Sequence, residues 1–218
     1  MAEMLYQGHG SYRITTNAGT VIYVDPFAGR GYDAEADLVL VTHEHPDHDK
    51  VDLMPRAKGC TILRAADFQP EPGNYKTLFI PEPRAEKPCG IRMSGVPACN
   101  KNHPIDECVG IIIEFDGITF YASGDTSTTE WMRNGKLKDM LIDYAVLPGD
   151  GFYNMDIDEA SECAKMIDAL YTIPVHLVPV HDPLDATIFS RERAEAFQAE
   201  GRVILEPGET LELVEAGK

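Results

Sequence analysis

Val41-Thr42-His43-Glu44-His45-Pro46-Asp47-His48-Asp49 carries the densest chemistry of the 218-residue chain, directly after the wholly apolar run Leu38–Val41. A short run without polar alternation predicts a strand buried on both faces. Extended backbone sends alternate side chains to one side, so His43, His45 and Asp47 converge and His48 reaches in beside them. Imidazole nitrogens and carboxylate oxygens are the donors that Zn²⁺ and its first-row relatives accept. Three histidines and one aspartate packed between positions 43 and 48 fit an apolar core badly. A strand-end loop, by contrast, is where α/β proteins build sites. The plainer alternative is a solvated turn rich in histidine.

On either side of this segment the chain reads as strand after strand. Tyr12–Thr15 and Thr20–Val24 flank a turn with Asn17 and Gly19, a hairpin signal, and Asp25-Pro26 stops the second strand. Thr61–Leu63, Thr77–Ile80 and Ile91–Val96 follow, then Val109–Phe115 and Ile118–Tyr121 joined by the hairpin dipeptide Asp116-Gly117. Tyr144–Leu147, Thr172–Val175, Val203–Leu205 and Thr210–Val214 complete the strand candidates. Two helices are predicted. One runs over Ile157–Leu170, with Asp156 and Glu159 in capping-box spacing; the other spans Ser190–Ala199 and stops at Gly201. Strands precede the first strong helix, and no internal repeat or Gly-rich phosphate loop is present. Sheets covered by helices in a layered α/β arrangement fit this order, as a single domain over residues 1–218.

Composition narrows the function classes. A formal net charge of −17 sets up a field that repels polyanions, which argues against nucleic-acid and anionic-membrane binding. No apolar window reaches the length of a spanning helix, and Met1–Arg13 lacks the apolar core of a signal peptide, so a soluble cytoplasmic protein is expected. Cys60, Cys89, Cys99, Cys108 and Cys163 are odd in number and contain no C-x-x-C pair, which reads as free, buried thiols. A soft-metal cluster of Cys89, Cys99 and Cys108 is the sharper alternative, at spacings too wide to carry weight.

His43-x-His45-x-Asp47-His48 after an apolar strand resembles the H-x-H-x-D-H signature of the metallo-β-lactamase superfamily. Gly8-His9-Gly10-Ser11 and Val24-Asp25-Pro26-Phe27 resemble the first hairpin of its small metal-dependent hydrolases. Tyr121-Ala122-Ser123-Gly124-Asp125-Thr126 resembles the segment with the bridging aspartate, and Ile173-Pro174-Val175-His176 the segment with the last histidine. The similarity runs from about Gly8 to Leu213, nearest the compact branch that includes the ascorbate-6-phosphate lactonase type. It implies a four-layer αββα sandwich. It also implies two divalent ions, Zn²⁺ first, with Mn²⁺ or Fe²⁺ as alternatives.

Carried over residue by residue, His43, His45 and His103 would hold one ion, and Asp47, His48 and His176 the other, with Asp125 bridging. His181 competes with His176 as last ligand, though Ile-Pro-Val-His favours His176; otherwise His181 is a candidate proton donor to the leaving group. Asp25 is expected to fix a ligand histidine, His9 to line the pocket, and Glu44 to face away from the ions. Asp150, in the glycine-rich stretch Leu147–Asn154, is expected to put a negative charge near the pocket. The implied chemistry is hydrolysis of a small ester, lactone, amide or phosphodiester by a hydroxide shared between the ions, with Asp47 orienting it. The rivals are a mononuclear-iron oxidoreductase or sulfur dioxygenase on the same scaffold, and a non-catalytic metal-binding regulatory module. The partner is a small-molecule substrate, and a homo-oligomer is the default for such enzymes.

Overall fold

The computed structural model describes residues 1–87, 89–179 and 188–215. It opens with a strand that the residue pattern did not announce, β1 (Ala2–Gly8), whose Ala2, Met4 and Tyr6 turn inward. β2 (Ser11–Thr15) and β3 (Val21–Val24) form the expected hairpin. β4 (Ala36–Val41) is the expected apolar strand, buried at every position, and β5 (Arg56–Arg64) extends well beyond the predicted residues 61–63. A one-turn helix, α1 (Ala65–Phe68), leads into β6 (Thr77–Pro81), β7 (Gly90–Pro97), β8 (Val109–Phe115) and β9 (Ile118–Ala122). The short α2 (Glu130–Arg133), β10 (Tyr144–Pro148), α3 (Ile157–Ile167), β11 (Tyr171–Val175), α4 (Arg191–Ala196) and β12 (Thr210–Leu213) complete the order. Among the described residues no helix is long and apolar enough to cross a membrane.

The strands form two six-stranded sheets, in the orders β12-β1-β2-β3-β4-β5 and β11-β10-β9-β8-β7-β6. In each, three antiparallel pairings are followed by two parallel ones, β3-β4-β5 and β9-β10-β11. The sequence shows no repeat, yet the topology does. Asp37 Oδ2 accepts from Val21 N at 2.9 Å at the start of the first parallel pair, and Asp143 Oδ2 accepts from Thr119 N at 2.7 Å at the start of the second. Backbone bonds from His176, after β11, to His9 and from Val109 to Thr42, after β4, bring the ends of both parallel sets to the same side of the molecule, the side where open α/β sheets place ligands.

Apolar faces hold the layers together. The core between the sheets includes Met4, Tyr12, Ile14, Leu38 and Leu40 from one and Ile111, Ile113, Phe120 and Val146 from the other, with the Tyr12 and Phe120 rings 5.7 Å apart. The outer face of the second sheet (Tyr121, Ala145, Leu147) is covered by Ala160, Cys163, Ala164 and Ile167 of α3 and by Phe197. The outer face of the first sheet (Val21, Tyr23, Val39, Val41) is covered by turns carrying Tyr32, Ala34, Val51 and Met54. The sandwich thus has the expected layers, with turns taking the helical place on one side.

Some local expectations are corrected. Val203–Leu205 is not a strand; it is reduced to a bridge between Thr172 and Arg202. Thr172 donates to Gly201 O and accepts from Val203 N, but the next rung would need an N–H from Pro174, which has none. α3 stops at Ile167, because Asp168 turns left-handed (φ 56°) and closes on Ala164 O. Asp156 caps Glu159 N as expected, but the Glu159 carboxylate takes Thr128 N and Oγ1 instead of closing a capping box. α4 is shorter than predicted, ending where Phe197 turns extended. Asp116-Gly117 makes the expected tight turn, with φ of 49° and 78°. All five cysteines are free, but only Cys108 and Cys163 are buried, which narrows the expectation of buried thiols to two.

Phe120 is fully buried between the sheets, so Phe120→Ala should lower the unfolding free energy by about 3–5 kcal/mol. The readout is a fall in the urea midpoint at unchanged slope; a loss under about 1 kcal/mol would contradict this account of the core.

Candidate metal centre

The ends of the parallel strands deliver most of the chemistry to one edge of the sandwich. Asp25 follows β3, Thr42 and His43 follow β4, Asp125 follows β9, Asp150 follows β10 and His176 follows β11. His9 comes from the β1–β2 turn and His103 from the segment between β7 and β8. Two backbone bonds stitch the sheets together here, from His176 N to His9 O and from Val109 N to Thr42 O, both 3.0 Å. Gly124 (φ 60°) lets the chain pass Thr42 closely, since a Cβ there would lie 2.7 Å from Thr42 Oγ1.

The histidines fall into two groups. Ligating atoms of His43, His45 and His103 lie within 4.8 Å of one another, and so do those of His9, Asp47, His48 and His176; a third set, Asp25 with His43 and His48, overlaps both. Asp125 stands between them, buried, with Oδ1 at 3.5 Å from His48 Nε2 and Oδ2 at 3.3 Å from His103 Nε2 and 3.5 Å from His176 Nε2. All seven residues carried over from the resemblance within the described chain are therefore brought together. His181 lies outside the described residues. Among the described residues no cysteine joins either group.

Neighbouring side chains decide which ring nitrogen faces inward. Thr42 Oγ1 donates to Asp25 Oδ2 at 2.7 Å, so at 3.0 Å it accepts from His43 Nδ1 and leaves His43 Nε2 bare. Asp25 Oδ2 also receives His48 Nδ1 at 3.1 Å, the fixing role expected of it. Asn100 Nδ2 donates to Asn154 Oδ1, which turns Asn100 Oδ1 toward His103 Nδ1 at 2.9 Å. Nε2 of His43, His48 and His176 are buried without a hydrogen-bond partner. Buried nitrogens left bare in this way are uncommon in a finished core and suit atoms kept for a metal. A void of about 10 Å³ lined in part by His48, Asp125 and His176 has room for one water-sized species.

Electrostatics follow the geometry. Burial pushes the Asp125 carboxyl up, but His176, His48, His43 and His103 together hold it well below the ordinary carboxylate range. Burial disfavours charge on His48, yet Asp125 and Asp25 raise it to about 10. His43, with burial dominant and His48 facing it, falls well below the usual imidazole value. His9 drops to about 4 through burial and the nearby His176.

Two placements differ from expectation. His9 is more than a pocket wall: its Nε2 sits 3.0 Å from Asp47 Oδ2, and its backbone is left-handed at φ 52°. Asp150 does not bring its charge to the pocket. Its Oδ1 accepts from Phe152 N and Tyr153 N, and its Oδ2 accepts from Asn154 Nδ2 and lies 3.1 Å from His176 Nδ1. Glu44 is exposed, pairs with Arg64, and stands with His43 and His45 on the wall of one cleft. The signal for Asp150 was present: it follows the apolar run 144–148 much as Asp125 follows 118–122.

Comparisons with known proteins bear on the family and the fold. Residues 3–176 match the family model described as the beta-lactamase superfamily domain. A metal-dependent hydrolase of Thermococcus onnurineus is 29% identical over 98% of this chain and 100% of its own length. One from Thermus thermophilus is 28% identical over 98% and 100%. The structure of a metallo hydrolase from Ignicoccus hospitalis superposes with a TM-score of 0.68, covering 98% of this chain and 99% of that one at 24% identity, a likeness of fold. With two mixed sheets, a histidine-rich edge and a family match over most of its length, the chain belongs to the beta-lactamase superfamily.

Proposed function

We propose that the chain is a metal-dependent hydrolase acting on a small-molecule ester, lactone, amide or phosphodiester, and that the residues gathered around Asp125 would hold its metal. His43, His45 and His103 would hold one divalent ion, Asp47, His48 and His176 the other, and Asp125 would bridge them. Zn²⁺ suits this set of imidazoles and carboxylates, and Mn²⁺ and Fe²⁺ accept the same donors. The reading rests on one observation: the buried Asp125 carboxylate, met at 3.3–3.5 Å by Nε2 of three histidines from separate segments. The relatives named as metal-dependent hydrolases support it. Bound there, divalent ions would supply Lewis acidity and bring the pKa of a water to near neutrality.

The chain's own residues set up that chemistry. Thr42, Asp25 and Asn100 take the Nδ1 protons of His43, His48 and His103, so each ring keeps Nε2 for the site. Asp150 Oδ2 stands 3.1 Å from His176 Nδ1, close enough to favour a proton there though not aligned as a hydrogen bond. Asp47 is the more exposed of the site's two inner carboxylates and would accept the proton of the attacking water. His9 Nε2, 3.0 Å from Asp47 Oδ2, would hold that carboxylate in position. A cleft of about 280 Å³ opens onto His43 and His45 and gives a small substrate its entry.

Elemental analysis should find two divalent ions per chain after reconstitution with Zn²⁺. Chelation should abolish ester hydrolysis and lower Tm, and added Zn²⁺ should restore both. A single iron with oxygen uptake on a thiol substrate would instead favour the mononuclear oxygenase. Asp125→Asn should stay folded by circular dichroism but lose an ion and several orders of magnitude in kcat; wild-type turnover in a metal-verified preparation would contradict the scheme. Asp150→Asn should weaken metal binding by about 10–100-fold in competition with a chromogenic chelator. Unchanged affinity would restrict Asp150 to shaping its own turn.

A further inference from the structure

Resting on the hydrolase reading above, we propose that the mouth of this site selects compact esters, lactones or amides that carry an ammonium group and discriminates against phosphorylated and carboxylated ones. The cleft of about 280 Å³ onto His43 and His45 is walled on its outer side by Glu44, Asp106 and Glu107. No lysine or arginine lines it among the described residues, and Lys101 of the same connecting segment is not on its wall. All three carboxylates are exposed. Glu44 meets Arg64 at 3.3 Å, a surface pair that leaves both charges largely in water. Asp106 and Glu107 have no cationic partner among the described residues.

The cleft is a place for a ligand as well as an acidic patch. His43 is 1% exposed, its Nε2 has no hydrogen-bond partner, and it forms part of the cleft wall. Glu107 is felt inside: the neighbouring Cys108 thiol is pushed up by burial first, then by Asp125 and Glu107. A scissile carbonyl directed at the histidines therefore leaves the rest of a small substrate beside three carboxylates. The volume lies near the lower end of the ~300–1,000 Å³ of ordinary ligand pockets, so the substrate is compact. Two bound cations by themselves would attract phosphate. At ordinary ionic strength, however, fields reach only about 10 Å, and an approaching anion meets the carboxylate rim first. At low ionic strength, where screening weakens, the formal net charge of −17 adds to this repulsion. A cationic group at the rim is attracted where an anionic one is opposed.

The test uses the Zn²⁺-reconstituted protein and the p-nitrophenyl esters of β-alanine, butyrate and succinate, which are cationic, neutral and anionic at similar size. kcat/KM should fall in that order, with about a tenfold or larger gap between the first and last at low salt that narrows as salt rises. Asp106→Asn/Glu107→Gln should level the cation-to-anion ratio. As a readout without turnover, inorganic phosphate should perturb the visible spectrum of the Co²⁺-substituted wild type only weakly and bind several-fold tighter to the double variant. Equal or better hydrolysis of the succinate ester, a ratio unmoved by the double variant, or tight phosphate binding to the wild type would overturn the charge selection and leave the hydrolase intact. Where none of the three esters turns over, the phosphate affinities of the Co²⁺-substituted wild type and double variant decide the charge selection on their own, and equal affinities overturn it.

Discussion

A carboxylate sealed inside a protein has to be met by positive or hydrogen-bonding partners, and the edge of this sandwich is organised around meeting Asp125. His48 arrives from the loop after β4, His103 from the segment before β8 and His176 from the end of β11, each with Nε2 toward it. The backbone bends to allow this. His9, Asp25 and His176 all adopt left-handed conformations without being glycine, which costs about 1–2 kcal/mol each. Specific bonds hold them there: Tyr6 Oη and His176 N both donate to His9 O, and Thr42 N donates to Asp25 Oδ1. Strain of this kind gathers where side chains must be aimed rather than merely buried.

The repeated topology explains why the convergence is available. Each sheet ends its parallel set at the same edge, so each contributes a carboxylate just past the first strand of that set: Asp25 after β3 and Asp125 after β9. Their roles then diverge. Asp25 turns outward to Thr42 and His48 and fixes the ring, while Asp125 turns inward between the two histidine groups. Asp150, after β10, takes a supporting role toward His176. The inner histidines form a polar core with a small outlet, and the outlet is rimmed by acid. On the proposed reading, recognition would fall to the rim carboxylates and chemistry to the inner histidines and Asp125.

The segment from Leu38 to His48 was legible because everything it needs is local. The apolar run is buried throughout, and the histidine spacing follows the two-residue period of extended chain. The resemblance added His103, Asp125 and His176, which no periodicity connects to it. β1 carries a weak strand signal because its inward Ala2, Met4 and Tyr6 alternate with residues of mixed character. Val203–Leu205 looked like a strand on composition and failed because the missing Pro174 N–H on its neighbour broke the ladder. The capping box at Asp156 was half right, since Glu159 found a better partner in Thr128 on another segment.

By itself the sequence determined the kinds of ligand, their spacing between positions 43 and 48, and the strand that presents them. Those properties depend on backbone period and residue chemistry over a few neighbours. Tertiary structure alone decided that His9 reaches Asp47 and that Asp150 faces His176 rather than the pocket. It also decided that Glu44, Asp106 and Glu107 share one mouth. Distances between residues remote in the chain are fixed only when two twisted sheets pack face to face, and no local pattern encodes that packing.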